Sequence, residues 1–320
     1  MNDALSKEAR GVRRVWNLLP SGVNGFVRVT AWLSLVFQVL LIGTGGAVRL
    51  TASGLGCPTW PQCTADSFVN TPEMGIHGVI EFGNRALGFV LALITILAFL
   101  AVIRFRKQRP DLFRLTLLQG LSIPFQAVLG GITVLTGLNP YVVGAHFAVS
   151  IVLVVVTTIL VWRVYYGSRG DALIVPRWYL SLGHVTSAVV AVTVVVGILT
   201  TGSGPHAGDN SDPAKPAPRN GLNPELLQHV HSWPAYTTFA LTLALVVLAF
   251  ALRLPRRWQV TLLTVELVQI AVGLTQARLG LPEILVGTHM VLAGLLVAAM
   301  TAVLLSLRAP ASPVLPAPHP

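Results

Sequence analysis

The sequence predicts an all-α membrane protein in which eight transmembrane helices form two pseudo-symmetric four-helix bundles. Three observations support this fold class. The 320 residues are 53% hydrophobic and only 11% charged, whereas soluble domains carry about 25% charged residues. The mean hydropathy is +0.71, and the apolar residues gather into long runs. Finally, the second half of the chain repeats a pattern found in the first half.

Each apolar run is long enough for a helix, which needs about 20 residues to cross the hydrocarbon core. The first run is too long and begins too late to be a cleaved signal peptide. The predicted spans are about 28–49, 77–103, 114–136, 142–162, 178–200, 226–252, 258–279 and 284–307. They divide the chain into an N-terminal segment (1–27), two bundles (28–165 and 166–308) and a Pro/Ala-rich tail predicted to be disordered (309–320).

The basic residues indicate how the helices are oriented. Seventeen of the 22 Lys and Arg residues fall on the side that carries both termini, and five fall on the other side or just within the membrane there. By the positive-inside rule, this bias predicts that both termini are cytoplasmic. Because topology accounts for the net charge of +10, no nucleic-acid partner is predicted.

An internal repeat relates the two halves of the chain. Residues 126–146 read QAVLGGITVLTGLNPYVVGAH, and residues 269–289 read QIAVGLTQARLGLPEILVGTH. At an offset of 143 residues the segments share identical residues, among them Gln126 with Gln269, Gly130 with Gly273, and His146 with His289. A weaker similarity links LTASG at 50–54 with TTGSG at 200–204. Helices 1–4 and 5–8 are therefore predicted to be parallel copies of one unit.

Three histidines lie at one depth in even-numbered spans: His146, His231 and His289. Ionisable groups inside a span are costly and usually functional. Imidazoles that face each other across a four-helix bundle suit axial ligation of a heme iron. A site for a bare metal ion fits less well, because no acidic or cysteine ligands stand beside them. We therefore predict these histidines as heme-iron ligands; the alternative is packed or hydrogen-bonded histidines.

Polar residues also gather at the start of the second span, in IHGVIEFGNR. Spacings of three and four residues place His77, Glu81, Asn84 and Arg85 on one helical face. A carboxylate there is able to orient water or move protons, and Arg85, like Arg49, is able to pair with heme propionates. The alternatives are an ion pair four residues apart and arginines that extend to the membrane boundary.

The two cysteines lie in the first loop on the non-cytoplasmic side, in GCPTWPQC. Their position predicts a disulfide between Cys57 and Cys63; two free thiols are the alternative. The spacing leaves open whether a bonded pair is structural or redox-active.

These features together resemble the heme A synthase family over essentially all eight spans. The resemblance rests on GGAVRLTASGLGC at 45–57, Trp60-Pro61-x-Cys63, IEFGNR at 80–85, and the histidines of helices 4, 6 and 8. It implies an oxidoreductase that converts heme O to heme A. In that reaction a ring methyl group is oxidised to a formyl group, with water as the oxygen source.

The resemblance also implies a role for each bundle. The C-terminal bundle would hold a heme b cofactor between His231 and His289. The N-terminal bundle would bind the substrate heme at His146, with Glu81 as its functional carboxylate. Implied partners are heme O synthase, an electron acceptor and membrane lipid. The implied location is the plasma membrane of a bacterial-type cell.

One position departs from the family pattern, which is commonly Glu-x-x-His-Arg at the second helix. This chain has Asn84 at the place of that histidine. The second axial ligand of the substrate heme is therefore open between His77, Asn84 and no residue.

Two other functions fit parts of the same sequence. The three histidines alone also fit a di-heme electron-transfer cytochrome without chemistry of its own. Parallel repeats also fit a transporter, for which Glu266 with Gln269 in the seventh span is the deepest polar candidate. Glu266 is otherwise expected to be a satisfied intramembrane acid or part of a proton path.

Overall fold

The computed structural model describes residues 16–210 and 216–311. Eight of its helices are long and apolar enough to cross a membrane. They are α1 (Gly25–Leu50), α2 (Gly75–Ile103), α3 (Pro110–Leu135), α4 (Pro140–Tyr166), α5 (Arg177–Ser203), α6 (Pro224–Ala251), α7 (Arg257–Arg278) and α8 (Glu283–Ser306). The prediction of an all-α, eight-span membrane protein is confirmed, and the bounds differ from the predicted spans by at most four residues.

Asparagine and proline residues determine where several helices begin. The side chains of Asn24, Asn139 and Asn223 accept hydrogen bonds from backbone N–H groups in the first turns of α1, α4 and α6. Such N-caps satisfy N–H groups that have no partner within the helix. Pro140 and Pro224 follow two of these caps at the first helical position, where no N–H is needed. The helices therefore extend beyond the apolar runs that predicted them.

The helices pack as two rings of four. In each ring every helix contacts the next one along the chain, and the fourth closes against the first. Helix α8 joins the rings by packing against both α1 and α4. The largest buried cluster lies at this junction and includes Ile42, Val154, Leu262, Met300 and Val303. The bundle boundaries at 28–165 and 166–308 remain predictions.

The internal repeat also appears in the backbone. Helices α3 and α7 end at residues 135 and 278, and α4 and α8 begin at 140 and 283, so the offset of 143 is kept. The connecting turns have the same left-handed backbone: φ is +58° at Gly137 and +62° at Leu138, and +76° at Gly280 and +62° at Leu281. A leucine in this conformation is strained, and its recurrence at both turns indicates one repeated geometry.

Contacts between loops occur separately on the two sides of the helix bundle, and each joins loops that the sequence assigns to the same side. On one face, Arg104 donates to the carbonyls of Asn17 and Leu19. On the other face, the N–H of Gly54 donates to the carbonyl of Gly208. We call the first of these the basic face, because the arginine-rich loops after α2, α4 and α6 lie there. Lys7, Arg10, Arg13, Arg14 and Lys215, which also entered the charge count, lie outside the described residues.

A short antiparallel sheet on the basic face was not predicted. It pairs β1 (Arg169–Leu173) with β2 (Arg308–Pro310), with Arg169 opposite Pro310. The prediction of disorder from residue 309 is therefore wrong for the first residues of the tail. The reason is tertiary: the chain leaving α8 runs beside the loop between α4 and α5, which supplies backbone partners. Residues 312–320, and residues 1–15 of the predicted N-terminal segment, lie outside the described residues.

Candidate functional site

His231 and His289 face each other in the C-terminal bundle. Their ring centroids are 6.3 Å apart, with the ring planes at 76°. Two metal–nitrogen bonds of about 2 Å each, plus roughly half the width of each imidazole, also come to about 6 Å. The pair therefore has the spacing of two axial ligands on one iron, as in bis-histidine heme proteins.

A glycine on the neighbouring helix faces each of the three predicted ligands. A Cβ atom added at these glycines would lie close to the Cε1 atom of the imidazole. The distances are 2.9 Å for Gly197 and His231, 3.0 Å for Gly273 and His289, and 3.2 Å for Gly130 and His146. The glycines therefore leave the space that the imidazole rings occupy.

A glutamine also contacts two of these histidines in the same way. The Nε2 atom of Gln126 donates to the carbonyl of His146 at 3.4 Å, and that of Gln269 donates to the carbonyl of His289 at 3.1 Å. The Nδ1 atoms of His146, His231 and His289 are buried, and backbone groups of Thr193 and Gln269 lie beside the imidazoles of His231 and His289. A histidine that binds a metal through one ring nitrogen commonly turns the other toward a backbone carbonyl, so the Nε2 atoms are the ones available to a metal. The residues therefore fit a heme iron.

The two remaining candidates for a ligand in the N-terminal bundle are held by other residues. The Nδ1 atom of His77 lies 2.9 Å from the Oγ of Ser53, and the His77 side chain is exposed. The Oδ1 atom of Asn84 accepts a hydrogen bond from the hydroxyl of Thr44 at 2.7 Å. These contacts occupy the Nδ1 atom of His77 and the Oδ1 atom of Asn84.

Glu81 and Arg85 form the centre of a buried network. One carboxylate oxygen of Glu81 accepts the N–H of Cys57 at 2.5 Å, and the other accepts from Arg85 at 2.6 Å. Arg85 also donates to the carbonyls of Cys57, Thr59 and Gln62. The ion pair four residues apart is therefore present. The donors of Arg85 are directed to the loop and to Glu81.

The predicted disulfide between Cys57 and Cys63 is present. Both cysteines are fully buried rather than exposed. Within the same loop the Trp60 ring packs against Gly131 of α3. We call residues 57–63 the disulfide loop. Burial of this kind is typical of a structural disulfide, because exchange requires access to the sulfur atoms.

Arg49 links the two bundles. Its Nη2 atom donates to the carbonyl of Thr201 near the end of α5 at 3.0 Å. Its Nε atom is buried without a partner among the described residues. Of the two arginines predicted to bind propionates, Arg49 therefore retains a free buried donor.

We expect Gly197→Leu to reduce the amount of heme bound per chain, because the added side chain would displace His231. Pyridine hemochrome analysis of the purified protein measures this amount. The matched control is Gly120→Leu on α3, where an added Cβ meets nothing within 4 Å and the gain in helix propensity is the same. Equal heme content in both variants would contradict this role of Gly197.

Sequence reasoning missed several partners of these residues. Gly130 and Gly273 match in the repeat, and this match could have identified them as a pair that serves the histidines. No sequence pattern of this kind identifies Thr44, Ser53 or Gly197. Their contacts depend on which helices and loops lie side by side.

The chain is similar to known proteins over long segments. A family model described as cytochrome oxidase assembly protein, COX15-CtaA, matches residues 28–301. The chain is 34% identical to the heme A synthase of Bacillus pumilus over 144 residues, which are 43% of this chain and 45% of that protein. It is 26% identical to the heme A synthase of Geobacillus thermodenitrificans over 124 residues, which are 39% of this chain and 38% of that protein.

A third relative is the heme A synthase of Listeria welshimeri, 27% identical over 128 residues, which are 40% of this chain and 42% of that protein. Each of these alignments spans less than half the length of the relative. The family model, in contrast, matches all eight helices except the first turn of α1 and the last residues of α8. The chain therefore belongs to the COX15-CtaA family of cytochrome oxidase assembly proteins.

Proposed function

We propose that the chain is a heme A synthase, an oxidoreductase that oxidises a ring methyl group of heme O to a formyl group with water as the oxygen source. The observation that carries this proposal is one histidine environment repeated in both bundles. His146 and His289 each contact a glycine and a glutamine at matching positions of the preceding helix. Two related heme sites in one chain suit an enzyme whose substrate and cofactor are both hemes.

The two sites differ in ways that support different roles. The C-terminal site offers two imidazoles, His231 and His289, and is proposed to hold heme b. Heme b bound there supplies one-electron redox chemistry. The N-terminal site offers His146 and is proposed to bind heme O, with the free Nε of Arg49 as a donor to a propionate. A single protein ligand suits a substrate that must enter and leave.

The chemistry requires a proton acceptor near the substrate. Conversion of a methyl group and one water molecule to a formyl group releases four electrons and four protons. We propose that the Glu81 carboxylate orients the water and accepts a proton, since it is a buried carboxylate on α2 of the N-terminal bundle. Arg85 acts as a positioning residue, because it binds both Glu81 and the disulfide loop.

We also propose how the protein sits in the cell and with whom it works. The basic face is proposed to be cytoplasmic, with both termini on that side of the plasma membrane. Heme O synthase is the proposed source of the substrate. An electron acceptor outside the chain completes the reaction.

The test is analysis of hemes extracted from the purified protein after expression with a supply of heme O. We expect heme A, or its hydroxylated precursor, in the wild type. His146→Ala is expected to abolish conversion and retain heme b, whereas His289→Ala is expected to lose heme b. Only heme b, with unconverted heme O, in the wild type would contradict the proposal and indicate a di-heme electron-transfer cytochrome.

A further inference from the structure

Glu266 is a buried acid for which the proposed reaction has no use. It lies on α7 and is only 3% exposed. Its Oε2 atom has no hydrogen bond of good geometry among the described residues, and the Thr242 side chain lies beside the carboxyl group. A satisfied acid and a proton path both stay predictions for this residue. Ionisable side chains inside a membrane protein are costly, and those that persist often serve as proton relays.

Glu266 is one of a row of buried polar side chains inside the C-terminal bundle. We call this row the polar column. Its members lie at helical spacings on the inner faces of three helices. They are Tyr179 and Thr186 on α5, Thr238 and Thr242 on α6, and Gln259 and Glu266 on α7. None is more than 3% exposed. In a hydrophobic bundle, so many buried polar groups on facing helices require a physical reason.

Two side-chain contacts join members of the polar column: Tyr179 with Gln259, and Thr242 with Glu266. Other members contact groups beside the column. The hydroxyl oxygens of Thr193 and Thr238 lie 3.3 Å apart, and the Tyr179 hydroxyl donates to the carbonyl of Leu245 at 2.7 Å. The Oγ1 atom of Thr242, the amide group of Gln259 and the Oε2 atom of Glu266 are buried without a hydrogen bond of good geometry among the described residues. A buried water molecule is stabilised by two to four polar partners of this kind. The polar column therefore offers positions for a chain of water molecules.

The polar column connects the histidine pair with the basic face. Glu266 lies three residues, or about 4.5 Å along α7, from Gln269, and Gln269 donates to the carbonyl of His289. In the other direction, Gln259 lies in the first turn of α7, which begins at Arg257 on the basic face.

Among the described residues of helices α5–α8, Glu266 is the one carboxyl group between the histidine pair and the basic face. Helix α8 has no ionisable side chain between His289 and Arg308. Helices α5 and α6 contribute Tyr179, His184 and Tyr236 between the histidine pair and the basic face. Tyr179 belongs to the polar column, His184 lines a crevice of about 760 Å³ between the two bundles, and Tyr236 is exposed on the outer surface of α6.

We propose that Glu266 is a redox-linked proton acceptor and that the polar column is its route to the basic face. The inference rests on the proposed heme between His231 and His289. When one electron reduces the iron from the ferric to the ferrous state, the Glu266 carboxylate takes up one proton from water at the basic face. It releases that proton when the iron is oxidised. The coupling follows because a buried carboxylate is less favourable beside a less positive centre.

The test is a spectroelectrochemical titration of the low-spin heme across neutral pH. We expect the wild-type midpoint potential to fall with rising pH, by at most about 59 mV per unit for one proton per electron. Glu266→Gln is expected to remove most of this slope, and Glu266→Asp is expected to retain it. The matched control is Glu283→Gln, at the exposed start of α8, which is expected to leave the slope unchanged.

The outcomes separate this inference from the proposed function. A wild type without low-spin heme, or with no fewer low-spin hemes after His289→Ala, contradicts the proposed function. A low-spin heme whose slope is the same in wild type and Glu266→Gln contradicts only the role of Glu266. If Glu266→Gln fails to fold, redox-difference infrared spectra of the wild type test the role of Glu266 instead. We expect the band of a protonated carboxyl group to appear on reduction of the heme. The absence of this band would contradict the role of Glu266.

The route is tested separately with Gln259→Leu. This variant keeps the carboxyl group and interrupts the polar column, so we expect the slope to persist while proton uptake after rapid reduction becomes slower. An unchanged rate of proton uptake would contradict the polar column as the route.

Discussion

Glu81→Gln is expected to lower the rate of heme O conversion by about 100- to 10,000-fold, the range typical for loss of a general acid or base. The amide keeps the volume of the side chain, and its oxygen still accepts a hydrogen bond from Cys57, whereas its NH2 group replaces the oxygen that accepts from Arg85. It cannot, however, take up a proton. Heme content is expected to stay at the wild-type level, because Glu81 is not proposed to bind iron. The measurement is the rate of heme A formation in membranes supplied with heme O, with total heme per chain determined in parallel.

The matched control is Glu73→Gln. Glu73 lies on a short 3-10 helix just before α2 and is exposed, so its loss is expected to leave the rate unchanged. A Glu81→Gln variant that converts heme O at the wild-type rate would refute the acid–base role. Loss of heme content together with activity would instead indicate that Glu81 acts by holding the disulfide loop.

Asn84→His is expected to change the spin state of the heme in the N-terminal bundle. In the wild type this heme is expected to be high-spin with His146 as its only protein ligand. The reason is that residue 84 offers no imidazole, and His77 lies seven residues, or about 10 Å along α2, from it. A histidine at residue 84 would place an imidazole where the related family pattern has one. We then expect a second low-spin heme per chain in electron paramagnetic resonance and absorption spectra.

His77→Ala serves as the control for this prediction. We expect the spin state of the N-terminal heme to remain high in this variant, because the His77 side chain is exposed. Two low-spin hemes in the wild type would contradict single ligation by His146. If His77→Ala then converted one of them to high spin, His77 would be identified as the second ligand.

Features that depend on local sequence were predictable. The eight helices follow from the lengths of the apolar runs, because the hydrocarbon core imposes that length on any spanning helix. The matched turns at Leu138 and Leu281 follow from the repeat, since identical spacing of Gly and Leu reproduces the same backbone conformation. The proximity of His231 and His289 was also predictable, because both lie at one depth in helices of one bundle.

Features that depend on lateral packing were decided only by the tertiary structure. From the sequence alone, Arg85 could form an ion pair with Glu81 or bind a heme propionate. The structure adds three backbone carbonyl acceptors for Arg85, because the disulfide loop lies against α2. The partner of Asn84, the burial of both cysteines and the strand pairing of the tail have the same origin. Hydrophobic length and helical period are properties of one segment. The partner of a buried polar group depends on how neighbouring segments are rotated and shifted against each other, and no single segment encodes that relation.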